Sequence, residues 1–105
     1  MASSREYLDY ILEQLSEAGE VSYRPMMGEY VIYYQGKVIG GIYDDRFLVK
    51  PTKSARALLP DAPPEEPYPG GSNMLLVDCV ENRALLCELL EALYAELPAP
   101  KKRNR

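Results

Sequence analysis

The stretch Tyr23–Lys50, YRPMMGEYVIYYQGKVIGGIYDDRFLVK, decides the fold. Tyr30 to Tyr34 is dense in β-forming residues, and Gln35-Gly36 has the composition of a two-residue hairpin turn, with glycine free to take positive φ. Lys37 to Tyr43 reads as the returning strand. Asp44-Asp45 supplies the next turn, because short carboxylates tolerate left-handed backbone. Arg46 to Lys50 is then a third strand, closed by Pro51, which has no N–H for a ladder. Ahead of the hairpin, Val21 to Tyr23 reads as a short extended entry that stops before Pro25, and Gly28 permits a turn or bulge.

Alternation places Val31 and Tyr33 on one face of the first strand and Tyr30, Ile32 and Tyr34 on the other. Both faces are apolar enough to be covered, by helices or by a partner subunit. Gly40-Gly41 in mid-strand implies a bulge, or a helix packed closely on bare backbone. No phosphate-binding glycine pattern surrounds the pair.

The flanks supply the helices. Ser3 and Glu6 have capping-box spacing, and Leu8, Ile11, Leu12, Leu15 and Ala18 share one helical face, so a helix is expected over 3–18 with Gly19 as its stop. Glu6, Asp9, Glu13 and Glu17 line the opposite side as an acidic stripe, read as a solvated face rather than a contact for a basic partner. Thr52 caps a short helix to Leu59. Pro60 to Asn73 is a long connection with five prolines and Gly70-Gly71, stiff and extended around Tyr68. Met74 to Val80 is an apolar run of strand length, expected to be central. Asn82 caps a last helix that buries Leu86, Leu89, Leu90, Leu93 and Leu97 and ends at Pro98. The sum is a single α+β domain over 1–100, a two-layer antiparallel sheet with flanking helices in the order α-β-β-β-α-β-α with room for an extra short strand, followed by a basic, disordered tail at 101–105.

Composition excludes much chemistry. The chain of 105 residues has no histidine, which removes the commonest general base and metal ligand and forbids Ser-His-Asp or Cys-His catalysis as written. Cys79 and Cys87 are eight residues apart, too far for a C-x-x-C pair, and read as small core side chains in a reducing cytoplasm. No apolar run approaches the roughly 20 residues of a membrane span. No metal or cofactor is expected. Residues 1–100 hold 8 basic and 16 acidic groups, so the body is acidic, and four cations crowd into 101–105. Such a body repels nucleic acid on average.

Few residues stand out as candidates. Asp44 and Asp45 are adjacent and suit a turn better than acid–base work. Met26 and Met27 read as core filler, with a flexible apolar contact as the alternative. Lys50, Lys53 and Arg56 sit at helical-turn spacing, and with the tail they could form a nucleic-acid contact aided by exposed tyrosines. A tyrosine-lined pocket serving an enzyme or a ligand sensor is a third possibility, without an identifiable electrophile or cofactor. Nine tyrosines against one Phe and no Trp suit half-buried positions.

The run Arg24-Pro25-Met26-Met27-Gly28-Glu29-Tyr30, followed by Tyr33, Gly36-Lys37, Ile42, Asp44-Asp45 and Lys50, resembles the N-terminal domain of the TfoX/Sxy family, whose pattern is R-x-M-F-G-x-Y…Y…G-K…DD…K. Met27 stands where that pattern has Phe. The resemblance covers roughly residues 4 to 97. It implies an α+β fold similar to type III secretion chaperones, and a non-enzymatic, homodimeric module that contacts a protein partner, such as a DNA-bound transcription factor, in competence-type regulation. Regulators of this type carry a second, helical domain after the one that this chain resembles. Arg24, Met26, Met27, Tyr30, Tyr33, Lys50, Lys53 and Arg56 are the candidate interaction residues.

Overall fold

A computed structural model of the chain describes residues 3–97; the expected stop at Pro98 and the basic tail lie outside them. A helix α1 (Arg5–Gln14) precedes four strands, β1 (Val21–Met26), β2 (Glu29–Tyr34), β3 (Lys37–Ile42) and β4 (Phe47–Val49). A short helix α2 (Lys53–Leu58), strands β5 (Pro64–Glu65) and β6 (Met74–Leu76) and the helix α3 (Arg83–Glu96) follow. The six strands form one antiparallel sheet in the order β1-β2-β3-β4-β6-β5. The expected α+β sheet with helices is therefore present, with two strands more than the basic order.

Both extra strands have local causes. β1 runs through Pro25 instead of stopping before it. The Met27-Gly28 turn has positive φ at both positions (53° and 85°), which makes Met26 and Glu29 the hydrogen-bonded pair next to the turn. Pro25, one step along, then points its missing donor at the open edge and removes nothing from the ladder. β5 forms because Arg46 holds the proline-rich connection to the sheet, donating to Tyr43 O, to Glu65 Oε1 at 2.5 Å and to Glu66 O. The apolar run expected as a central strand is shorter, Met74–Leu76, and lies between β4 and β5, with Leu75 and Val77 buried.

The helices cap and end close to their sequence signals. Thr52 and Asn82 cap α2 and α3 by accepting from Ala55 N and Leu85 N. At α1 the adjacent serine does this work: Ser4 accepts from Tyr7 N, and Ser3, expected as the cap, is buried and tied elsewhere. α1 stops four residues early. The Ser16 hydroxyl donates to the Glu13 carbonyl, a competition with the helical ladder, and tight turns carry the chain to Gly19 at φ 130°. Leu97 is the half-buried C-cap of α3 rather than a member of its buried face.

All three helices contribute to one core. Leu8, Ile11 and Leu15 of the α1 region, Ala55 of α2 and Leu86, Leu89, Leu90 and Leu93 of α3 meet Ile32, Tyr34, Ile39, Ile42, Phe47 and Val49 of the sheet. Tyr34 is fully enclosed because its hydroxyl donates to Ala18 O at 2.9 Å. The opposite face of the sheet has no helix. By alternation it carries Arg24, Val31, Tyr33, Gly41, Leu48, Met74 and Leu76, of which Leu48 is fully buried and Val31, Tyr33, Met74 and Leu76 half-buried. Helices therefore cover one of the two faces expected to be covered; on the other, the Tyr68 loop lies over part of the sheet, with Tyr68 edge-on to Tyr43.

The mid-strand glycines answer to the sheet, not to a helix. A Cβ on Gly40 would lie 2.1 Å from Leu48 O, inside the backbone of β4. A Cβ on Gly41 would strike Tyr30 O and the Tyr43 ring, which lies back over β3. The expected bulge sits beside them, as a register shift opposite Ile32 and Tyr33.

Two tethers fix the helices to the sheet. Ser3 donates to Glu29 Oε1 at 2.6 Å, and its hydroxyl accepts from Asp45 N; Asp44 N donates to the same Glu29 oxygen, and Ser4 N to Asp45 Oδ1. Two hairpin turns and the start of α1 thereby share one knot. At the other end, Lys37 Nζ donates to Tyr94 O and Leu97 O at 2.7 and 2.9 Å and stands 4.0 Å from the Tyr94 ring centroid. The ammonium satisfies the orphan carbonyls of α3 and faces the negative end of its dipole.

Replacing Lys37 with Met should therefore lower unfolding free energy by about 2 kcal/mol in urea titration, since hydrogen bonds from a charged donor are lost at a half-buried helix end. Ser3→Ala and Glu29→Ala should each cost about 1 kcal/mol. The double variant should cost less than the two together, because they share one hydrogen bond.

Candidate functional site

The β1–β2 hairpin ends in an apolar tip. Met27 is 97% exposed and sits at φ 53°, a region that a long side chain occupies only at a cost. Met26 beside it is 44% exposed. The expectation that these methionines fill the core is overturned: a two-residue turn at the end of a sheet leaves nothing to pack against. The tip is held stiffly all the same, since Gly28 O accepts from Ser3 N at 3.1 Å and Glu29 belongs to the Ser3 knot.

The other expected interaction residues disperse. Arg24 is exposed on the helix-free face, with its guanidinium 6.0 Å from the Tyr33 ring centroid, so these two join the tip in one surface. Tyr30 points the other way, half-buried against the core and edge-on to Tyr23 at 5.8 Å. Lys50 follows β4 at the far end of the sheet from the Met27 turn; its N–H donates to Ile39 O. Lys53 and Arg56 are exposed on α2, where the Glu96 carboxylate accepts from Ser54 N. That bond is the largest cause holding the Glu96 carboxyl below its usual pKa, and Lys53 adds a smaller pull in the same direction. Lys53 of α2 therefore lies near a carboxylate on α3.

Several other charges are committed to contacts within the fold. Arg83 of α3 reaches Glu13, Glu17 and the buried Gln14, whose amide donates to Val80 O. Arg5 pairs with Asp9. The acidic stripe of α1 is thus partly a seam between helices. Asp44 and Asp45 form their turn with φ 55° and 56°, and their backbone amides serve Glu29 and Ser3.

Nothing in these contacts assembles a nucleophile with a base. Cys79 is half-buried at the edge of the core, and burial pushes its thiol pKa up, which disfavours the thiolate. Cys87 is a second free, half-buried thiol. Among the described residues no three His, Cys, Asp or Glu converge to hold a metal ion, and no helix is long and apolar enough to cross a membrane.

Open recesses among the described residues include three. One of about 480 Å³ lies between α1 and β1, lined by Leu12, Ser16, Val21 and Tyr23. One of about 330 Å³ lies beside the Asp44 turn, between Glu29, Arg46 and Tyr68. The third, of about 490 Å³, is bounded by Tyr43, Tyr68, Lys50 and Met74. Sequence reasoning marked Lys50 but not its companions, which come together only through the fold.

Comparison with known proteins agrees with the motif. A family model described as the TfoX N-terminal domain matches residues 13–92, from the middle of α1 into α3. An uncharacterized 12.7 kDa protein in the trpE 5′ region of Spirochaeta aurantia is 35% identical over 105 residues, which cover 99% of this chain and 91% of that protein. No solved structure gives a significant match. With the hairpin motif, its Asp44-Asp45 and two glycine turns, and a family match over most of its length, the chain belongs to the TfoX N-terminal domain family.

Proposed function

We propose that this chain is a non-enzymatic protein-interaction module, a cytoplasmic homodimer that engages a transcription factor through its β1–β2 hairpin and so contributes to bacterial transcriptional regulation. The single observation that carries the proposal is Met27: an apolar side chain, 97% exposed, on a strained backbone, at the end of a turn that the Ser3 knot holds rigid. Strain and exposure together work against stability, so they fit a side chain kept for what it touches. Arg24 stacked near Tyr33 extends that surface with a cation on an aromatic ring, a pairing favoured at interfaces.

A non-enzymatic role is supported by the lack of histidine and by the structural employment of two carboxylates, Glu29, which accepts from Ser3 and from Asp44 N, and Asp45, which accepts from Ser4 N. Direct nucleic-acid binding draws less support, because residues 1–100 hold twice as many acidic as basic groups and Glu96 sits near Lys53.

Light scattering after size exclusion should give twice the 11.9 kDa chain mass, and the elution should not change with duplex DNA at low salt. Met27→Gly should keep unfolding free energy within about 1 kcal/mol of the parent, since relief of left-handed strain offsets the entropy of glycine. The same variant should lose the transcription factor captured from bacterial lysate by the parent. Equal capture by parent and variant would sink the hairpin proposal, and a salt-sensitive complex with DNA would transfer the role to Lys50, Lys53, Arg56 and the tail.

A further inference from the structure

The groove of about 490 Å³ owes its wall to a missing side chain. Gly41 lets the Tyr43 ring fold back over β3, where a Cβ would come within 2.7 Å of it. Tyr68 meets that ring edge-on at a centroid distance of 6.2 Å, and Pro67, which is buried, seats the loop that carries Tyr68. Val38 and Met74 line the apolar part of the groove; Lys50, Thr52 and Asn73 line its polar part. Its size falls within the roughly 300–1,000 Å³ of small-molecule sites.

The charges around it are uneven. Lys50 is half-buried, and no Asp or Glu lies within ion-pair distance of it among the described residues, which include every Asp and Glu of the chain. The other half-buried cations have partners: Lys37 holds the end of α3, Arg46 pairs with Glu65, and Arg83 with Glu13 and Glu17. The ammonium of a half-buried lysine without a carboxylate, beside apolar surface, complements one anionic group. The acidic body around it disfavours ligands with many negative charges. Exposed aromatic area is present as well, since Tyr68 is 54% exposed. Burial, the neighbouring Tyr68 and Glu29 raise the pKa of the Tyr43 phenol, which stays protonated and able to donate at neutral pH.

The geometry points to a binding site for an amphipathic monoanion, an aromatic carboxylate whose ring lies against Tyr43 and Tyr68 and whose carboxylate pairs with Lys50. The groove is lined by none of the residues of the hairpin tip, so this site and the protein-docking surface stand or fall separately.

The probe is 1-naphthoate, titrated into the full chain and followed by amide chemical shifts and calorimetry. One-to-one binding is expected, with shifts centred on Val38, Tyr43, Lys50, Tyr68 and Met74. The uncharged 1-naphthylmethanol should bind about tenfold more weakly, as should naphthoate to Lys50→Met, through loss of the charge-assisted contact. Tyr68→Ala, at an exposed loop position, should also weaken naphthoate about tenfold through lost stacking. Lys53→Met, which removes a cation outside the groove, should bind as the parent does. Absence of saturable binding, shifts centred elsewhere, or equal affinity for naphthoate and naphthylmethanol would overturn the assignment. The last comparison uses the parent chain alone, so it decides the matter even where circular dichroism shows a variant to be misfolded.

Discussion

The sheet continues past β3 only because Gly40 has no side chain. With β4 so close that a Cβ would lie 2.1 Å from Leu48 O, any other residue would push the two strands apart. β4 is the only link between the first hairpins and the second half of the sheet, since it pairs with β3 on one side and β6 on the other. Phe47 and Val49, which face the helices, and the seat of α2 just after Pro51 all follow from that approach. Gly41 does the corresponding work on the other face, where Tyr43 takes the room that a side chain would fill. Two adjacent glycines thus set the position of half the sheet and the shape of its helix-free surface.

The family motif resolves into a division of labour. Gly28, Glu29, Asp44 and Asp45 build the knot around Ser3, and Gly36-Lys37 turns the second hairpin and holds the end of α3. These residues fasten helices to the sheet. Arg24, Met27 and Tyr33 are left at the surface and carry no comparable structural duty. A sequence motif of this kind mixes architecture with recognition, and only the contacts separate the two.

What was legible in the sequence was local. The caps at Thr52 and Asn82, the turns at Gln35-Gly36 and Asp44-Asp45, and the leucines of α3 follow from chemistry within a few residues of themselves. Ser3 and Ser4 could not be told apart that way, because the choice is made by Glu29, 26 positions from Ser3. β5 was hidden for the same reason: two residues of proline-rich chain become a strand only when Arg46 draws them in. Met27 read as core because methionine is apolar, but the hairpin register, not its hydrophobicity, decides where it points. The groove was least legible of all. It joins β3, β4, the Tyr68 loop and β6, none of which signals the others in sequence.

Both margins of the sheet carry proline: Pro25 in β1, and Pro63 with Pro64 at β5. A strand approaching from outside finds donors missing at each side, and at β5 it finds only two residues to align with. Growth by addition of a strand at the edge, the route to fibrils, is thereby disfavoured at either margin of the sheet. A small β-rich protein with an exposed apolar hairpin is in this way guarded at both sheet margins against pairing with copies of itself.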